Sequence, residues 1–209
     1  ELLNEVPYRR FLDLAIVCYY SYSNEIIGNG TITVYQNHLQ RWNISEENLF
    51  ENALKNTREK MEYEWLNMKD VIKNILREEL QEKITEYGGE DSVDEEWKES
   101  LLDQMVSQEV SGDEEHSMYV LTNINRFLGS VCIVFQDILE EVGKIIGTGY
   151  YILPSSIHEL ILLPMEDKSR KEQFSSMVKE INVTQVEAEE VLSDSIYYYD
   201  RCQKKVLLL

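Results

Sequence analysis

The sequence predicts an α+β protein with largely antiparallel sheets, on three observations. Apolar runs that alternate with period two are interspersed with segments whose apolar residues recur at helical spacing. The turns between strand-like runs, such as Gly28-Asn29-Gly30, are too short for the crossover that a parallel pair requires. Hydrophobic residues make up 43% of the 209, enough for a sizeable core in one large or two small domains.

Residues 2–10 form a lead-in in which Pro7 prevents a helix from continuing. In residues 11–22, Leu12, Leu14, Ile16, Cys18, Tyr20 and Tyr22 alternate onto one face, which predicts a single strand. Gly28-Asn29-Gly30 predicts a turn, and residues 31–35 a second strand that closes a hairpin. A short helix follows over 37–41. Ser45 is a predicted N-cap, with Glu46 and Glu47 placed where the helix dipole favours them. Leu49, Phe50, Ala53, Leu54, Thr57 and Met61 share one face of that helix. Trp65, Met68, Ile72, Ile75, Leu76 and Leu80 share one face of the next, which Gly88-Gly89 ends.

Residues 86–115 are the most acidic region. Trp97, Leu101, Leu102, Met105 and Val106 fall on one helical face inside it, and Ser111-Gly112 closes it. Two subdomains are expected, residues 1–112 and 113–209. In the second, residues 118–122 and 130–135 read as strands. Ile138, Leu139, Val142, Ile145 and Ile146 predict a helix closed by Gly147 and Gly149. Strands are expected over 150–153 and 157–163, joined by Pro154-Ser155-Ser156. Phe174, Met177, Val178 and Ile181 predict another helix. Thr184-x-x-Glu187 reads as a capping box for a short third helix ending near Leu192. Residues 195–199 and 205–209 form a closing hairpin. The order strand, glutamine, helix in 31–39 returns in 130–139, which hints at two related β-β-α units.

The net charge of −19 excludes a phosphate backbone or an anionic membrane surface as a natural partner. The short basic clusters Arg9-Arg10, 168–171 and Lys204-Lys205 are too small to reverse that. No apolar run approaches the ~20 residues of a membrane helix. Cys18, Cys132 and Cys202 form no CxxC and are odd in number, which points to a reducing, cytoplasmic compartment without disulfides. The sequons at Asn29, Asn43 and Asn182 carry no meaning there. The start at Glu1 without Met reads as a trimmed chain.

Met118-Tyr-Val-Leu-Thr-Asn123, Gly129, Tyr151-Ile-Leu-Pro-Ser-Ser-Ile-His-Glu159 and the segment 182–194 together resemble an uncharacterised bacterial family, a domain of unknown function. Pro7-Tyr-Arg-Arg-Phe-Leu-Asp-Leu14 is similar to the front of the same family. The resemblance spans nearly the whole chain. It implies a bacterial origin and a further N-terminal region, and carries no activity, ligand or partner.

Chemically able side chains concentrate at Ser155, Ser156, His158 and Glu159. His158-Glu159 precedes Leu-Ile-Leu, so it is not the zinc motif HExxH. On a strand, Ser156 and His158 would share a face, and a carboxylate such as Asp194 or Asp200 would complete a hydrolytic triad. No GxSxG turn supports that arrangement. The competing reading has the serines capping backbone and His158 at least half buried, bonded to a neighbouring strand or to the segment 182–194. Asp13 interrupts an apolar run and is expected to pair with Arg9 or Arg10. The binding positions are Ser155, Glu159, Asn182 and Tyr199; the tyrosine-rich stretches 19–22 and 197–199 offer stacking faces, although the charge argues against bases. No Gly-rich phosphate loop, metal-spaced set or cofactor fingerprint is present, so neither cofactor nor metal is expected. The expected function is non-catalytic binding of a protein partner, with a hydrolase built on Ser156 and His158 as the rival.

Overall fold

A computed structural model describes residues 2–24, 28–86, 94–109, 118–154, 156–164, 171–184 and 186–209. The fold is α+β with antiparallel sheets. It divides into two compact units, Glu1–Glu62 with Leu208 and Tyr63–Leu207 with Leu209.

The first unit holds two separate hairpins. β1 (Tyr8–Phe11) pairs with β2 (Leu14–Val17), and β3 (Tyr19–Asn24) pairs with β4 (Gly28–Thr33). The single strand expected over 11–22 is therefore divided among three: the end of β1, all of β2 and most of β3. Leu12 turns the chain with φ of 56°, a left-handed geometry that a leucine sequence does not advertise. Asp13 lies in that exposed turn and not in a buried strand. Arg9 places its guanidinium 4.6 Å over the Phe50 ring. Gly28 and Gly30 lie inside β4 and not in a turn. Gly30 faces the ring of Tyr22, whose Cζ would stand 2.6 Å from an added Cβ.

α1 (Gln36–Trp42) ends at Asn43 in the left-handed conformation that asparagine tolerates. α2 (Glu46–Lys60) begins at Ser45, whose Oγ accepts the Asn48 amide at 3.2 Å, as the capping pattern predicts. Cys18, Val34, Leu39 and Phe50 are buried together, with Ile16, Leu49 and Ala53 against them.

The second unit is built on a six-stranded sheet in the order β10-β9-β7-β8-β6-β5. Its strands are β5 (Tyr63–Asn67), β6 (Tyr119–Asn123), β7 (Tyr150–Leu153), β8 (Leu160–Pro164), β9 (Tyr197–Asp200) and β10 (Lys205–Leu208). α3 (Met68–Glu86) and α4 (Glu95–Glu109) lie in sequence between β5 and β6 and are bridged by Lys73 to Glu99 and Asp103, and by Arg77 to Glu99. α5 (Gln136–Ile146) covers one sheet face, where Tyr150 Oη donates to the Leu139 carbonyl at 3.0 Å. α6 (Lys171–Thr184) covers the other, packing Phe174 and Val178 onto Tyr151, Leu153, Leu163 and Tyr198.

Several expectations change here. Trp65 belongs to β5 and not to the helix, because the residues before Met68 pair with β6, Trp65 opposite Leu121. That pairing ties residues 63–67 to 119–123, so the division falls at Glu62–Tyr63 and not near Gly112. Gly88, Gly89, Ser111 and Gly112 lie outside the described residues. Residues 130–134 belong to a 3-10 turn, Gly129–Val134, which Phe135 closes, and not to a strand. A short apolar run fits either element, and here Ser130 spends its amide and its hydroxyl on the Ile157 carbonyl instead of a ladder. The β-β-α echo fails with it. The described residues 186–192 bend and turn without forming the expected third helix, and Thr184 is the last residue of α6 and donates its hydroxyl to the Glu180 carbonyl.

Gly129 leaves no room for a side chain. A Cβ there would collide with Thr122 Oγ1 and would stand 2.6 Å from the His158 carbonyl oxygen and 2.8 Å from the Asn123 amide nitrogen. Two of these neighbours are backbone and cannot swing away. Gly129→Ala is therefore expected to lose at least about 1–3 kcal/mol in urea unfolding. Parent-like unfolding of that variant would show that β6 and the 156–159 loop are free to separate.

Candidate functional site

The segment with the most reactive side chains lies at the joint between β7 and β8. Residues 156–158 bend before β8 begins at Leu160, so the alternation expected of a strand does not operate there. Ser156 is buried, and its Oγ accepts the His158 amide at 3.0 Å and contacts Glu159 Oε1 at 3.4 Å. Neither bond reaches the imidazole. Ser155 lies outside the described residues.

His158 keeps only 21% of its side chain exposed. Its Nδ1 accepts the Leu128 amide at 3.1 Å. An accepting Nδ1 carries no proton, so the neutral ring holds its hydrogen on Nε2. Nε2 stands 3.4 Å from Glu190 Oε1, and the Phe127 ring lies across the imidazole with centroids 5.5 Å apart. The backbone around it is bonded as fully. The Thr122 hydroxyl donates to the His158 carbonyl at 2.8 Å, the Ser130 hydroxyl to the Ile157 carbonyl at 2.7 Å, and the Ile157 amide to the Glu190 carbonyl at 2.9 Å. Leu128 is held with φ of 54°, and Arg126 with φ of 50°, while Asn123 clamps residue 127 through both its amide nitrogen and oxygen.

The expected partner segment 182–194 does meet His158, but through Glu190, which sequence reasoning did not single out. The other contact, from residue 128, comes from a loop and not from a neighbouring strand. A half-buried glutamate in an acidic stretch gave no signal of its own.

The remaining positions are placed apart from this junction. Asn182 is buried inside α6, and its Nδ2 donates to the Ser193 carbonyl at 3.0 Å and to Asp194 Oδ1 at 2.8 Å. Asp194 is thus bonded to Asn182. Asp200 accepts the amides of Cys202 and Gln203 in the β9–β10 turn. Tyr199 is buried and stacks on Tyr150 with centroids 5.0 Å apart; burial, then the charge of Glu140, raises its pKa. Its hydroxyl and Asn182 Oδ1 are buried without a hydrogen-bond partner among the described residues. Among those residues no group of three His, Cys, Asp or Glu is placed to hold a metal, and no helix is long and apolar enough to cross a membrane.

These features define an α+β protein whose most reactive-looking loop is a hydrogen-bonded junction between sheet and flanking segments. The chain belongs to the family of unknown function DUF5688, whose model matches residues 1–201. No curated protein and no solved structure matches it.

Two substitution pairs separate structural roles. His158→Ala leaves the Leu128 amide without its acceptor and is expected to cost about 1–3 kcal/mol in thermal or urea unfolding. Glu190→Gln is expected to cost less than about 1 kcal/mol, because the pair is half exposed and the Glu190 carbonyl is untouched. A His158→Ala protein that melts with the parent would remove the ring from any structural role. In the tyrosine stack, Tyr150→Phe removes the hydrogen bond that the hydroxyl donates to the Leu139 carbonyl and is expected to lose about 1 kcal/mol, while Tyr199→Phe discards an unpaired buried hydroxyl and unfolds at the same or a higher urea concentration. The reverse order would mean that the Tyr199 hydroxyl has a partner in solution.

Proposed function

We propose that this chain is a non-catalytic binding protein of the bacterial cytoplasm whose partner is another protein. The observation that carries the reading is the use of His158. Nδ1 is taken by the Leu128 amide and Nε2 faces Glu190, so neither nitrogen is directed at Ser156 as a general base would be. Ser156 Oγ in turn serves the backbone, and Asp194 serves Asn182. The rival hydrolase would have to dissolve most of these bonds to assemble a triad.

Binding fits what the surface offers. Apolar side chains stand exposed on the β3–β4 hairpin, at Tyr20 and Ile32, and on the α3–α4 pair, at Ile75 and Trp97. The charge of −19 favours a protein partner over nucleic acid. The cytoplasmic setting is supported by three free cysteines, two of them buried; burial pushes the Cys18 thiol up to about 11, which keeps it protonated and inert.

A fluorophosphonate probe tests the catalytic question directly. The full chain is expected to remain unlabelled at neutral pH. Labelling that maps to Ser156 and vanishes in His158→Ala would establish an activated serine and overturn the reading.

A further inference from the structure

Residues 124–128, between β6 and the 3-10 turn, form a tightly bonded loop that still leaves large apolar side chains in solvent. Asn123 clamps it: its carbonyl accepts the Arg126 amide at 2.8 Å, and its side chain bonds both the amide and the carbonyl of Phe127. Arg126 and Leu128 both take the left-handed conformation, which residues with a Cβ adopt at a cost. Yet Ile124 is 53% exposed and Phe127 is 47% exposed. A loop already fixed in one conformation loses little entropy when a partner covers it.

The neighbours of Phe127 select the cover. Its ring meets the His158 imidazole with centroids 5.5 Å apart, and His158 Nε2 stands 3.4 Å from Glu190 Oε1, so the three side chains are contiguous. The imidazole is neutral, because Nδ1 accepts the Leu128 amide, and it does not cancel the Glu190 charge. The loop's own cation does not cancel it either: Arg126 Nε is directed to Glu64 Oε1, 3.5 Å away. Residues 180–200 contain six acids and no lysine, arginine or histidine. The patch therefore sets an uncompensated carboxylate, with one oxygen free of the imidazole, close to an exposed aromatic ring. A guanidinium suits both, since its flat face stacks on the ring and its forked N–H groups pair with the carboxylate. A lysine ammonium reaches the carboxylate without stacking as well, and a purely apolar partner would desolvate Glu190 with nothing in return. We propose that Phe127, His158 and Glu190, with Ile124 of the same loop, form a docking surface for an arginine side chain of a partner protein that carries apolar residues beside that arginine. This rests on the reading of the chain as a protein-binding protein and assigns that reading a site.

NMR titration of the isotope-labelled full chain with an end-capped Leu-Arg-Leu peptide reads the outcome. Saturable shifts are expected at the amides of Ile124, Phe127 and Leu128 and at the His158 ring. The lysine version of the peptide is expected to bind several-fold more weakly, and the version with uncharged citrulline more weakly still. Glu190→Gln, which keeps an acceptor for His158 and removes the charge, is expected to weaken the arginine peptide several-fold, as is Phe127→Leu, which removes the ring. Glu189→Gln, the same loss of charge one position away, is expected to leave binding unchanged. An arginine peptide that shifts none of these resonances overturns the proposal. So does equal binding of the citrulline version, or a loss in Glu189→Gln as large as in Glu190→Gln, which would make the attraction a matter of bulk charge. A protein that ignores the arginine peptide and also leaves Ser156 unlabelled by fluorophosphonate loses only this site, whereas labelling of Ser156 would remove the non-catalytic reading itself.

Discussion

The second unit depends on how it satisfies the backbone of Ile157 and His158. These two residues cross from β7 to β8 without joining either strand, so their amides and carbonyls have no ladder partners. Each of the four groups is met from elsewhere: the Ile157 carbonyl by Ser130, the His158 carbonyl by Thr122, the Ile157 amide by the Glu190 carbonyl, and the His158 amide by Ser156 Oγ. Leaving such groups unpaired in a partly buried joint would cost a few kcal/mol each. The requirement propagates outward. Thr122 must carry a hydroxyl, residue 129 must lack a Cβ, and residues 126 and 128 must take left-handed conformations that place the Leu128 amide on the imidazole. The 3-10 turn that replaces the expected strand follows from the same demand.

Much of this architecture was legible where a local cause decides it. Ser45 caps α2 because its hydroxyl reaches the third amide of the helix, a relation that spacing alone reveals. α5 follows from Ile138, Leu139 and Val142 at helical spacing and stops at Gly147, whose φ of 87° is the geometry glycine permits. What escaped was decided by partners distant in sequence. Trp65 satisfies a helical periodicity as well as a strand one, and only the pairing with Leu121 chooses. The turn at Leu12 uses a residue that disfavours it, so the alternation ran straight through a reversal of direction. Glu190 reaches His158 across 31 intervening positions of chain that no pattern connects, and the capping box at Thr184 pointed to a helix in the very segment that instead turns to meet the ring.

The same chemistry explains why a junction can resemble an active site in sequence. A loop that passes through packed surroundings needs short hydroxyls to cap amides and an aromatic base to accept one, which are the residue types that catalysis also recruits. Composition cannot tell the two apart; the direction of the lone pairs can. At His158 the unprotonated nitrogen points at a backbone amide, and at Ser156 the hydroxyl oxygen accepts one. Both side chains are occupied in the folded ground state, whereas a poised nucleophile and base would be occupied with each other.

The distribution of charge completes the physical picture. Acidic residues outnumber basic ones by 39 to 20, and α3 and α4 offset part of the excess through the links from Lys73 and Arg77 to Glu99 and Asp103 and from Lys98 to Glu95. Such exposed links contribute little individually and weaken with salt. The buried interior depends on them hardly at all: Tyr150, Tyr151, Tyr197 and Tyr199 fill the sheet centre between α5 and α6, and among the described residues no charged side chain is fully buried. Fold and surface are therefore under separate constraints. The core fixes where the backbone runs and which loops must be satisfied by polar side chains. The excess of negative charge acts outside it, by deciding which surfaces can be approached and by what, and it leaves the uncharged run through β2, β3 and β4 as the part of the surface where that repulsion is weakest.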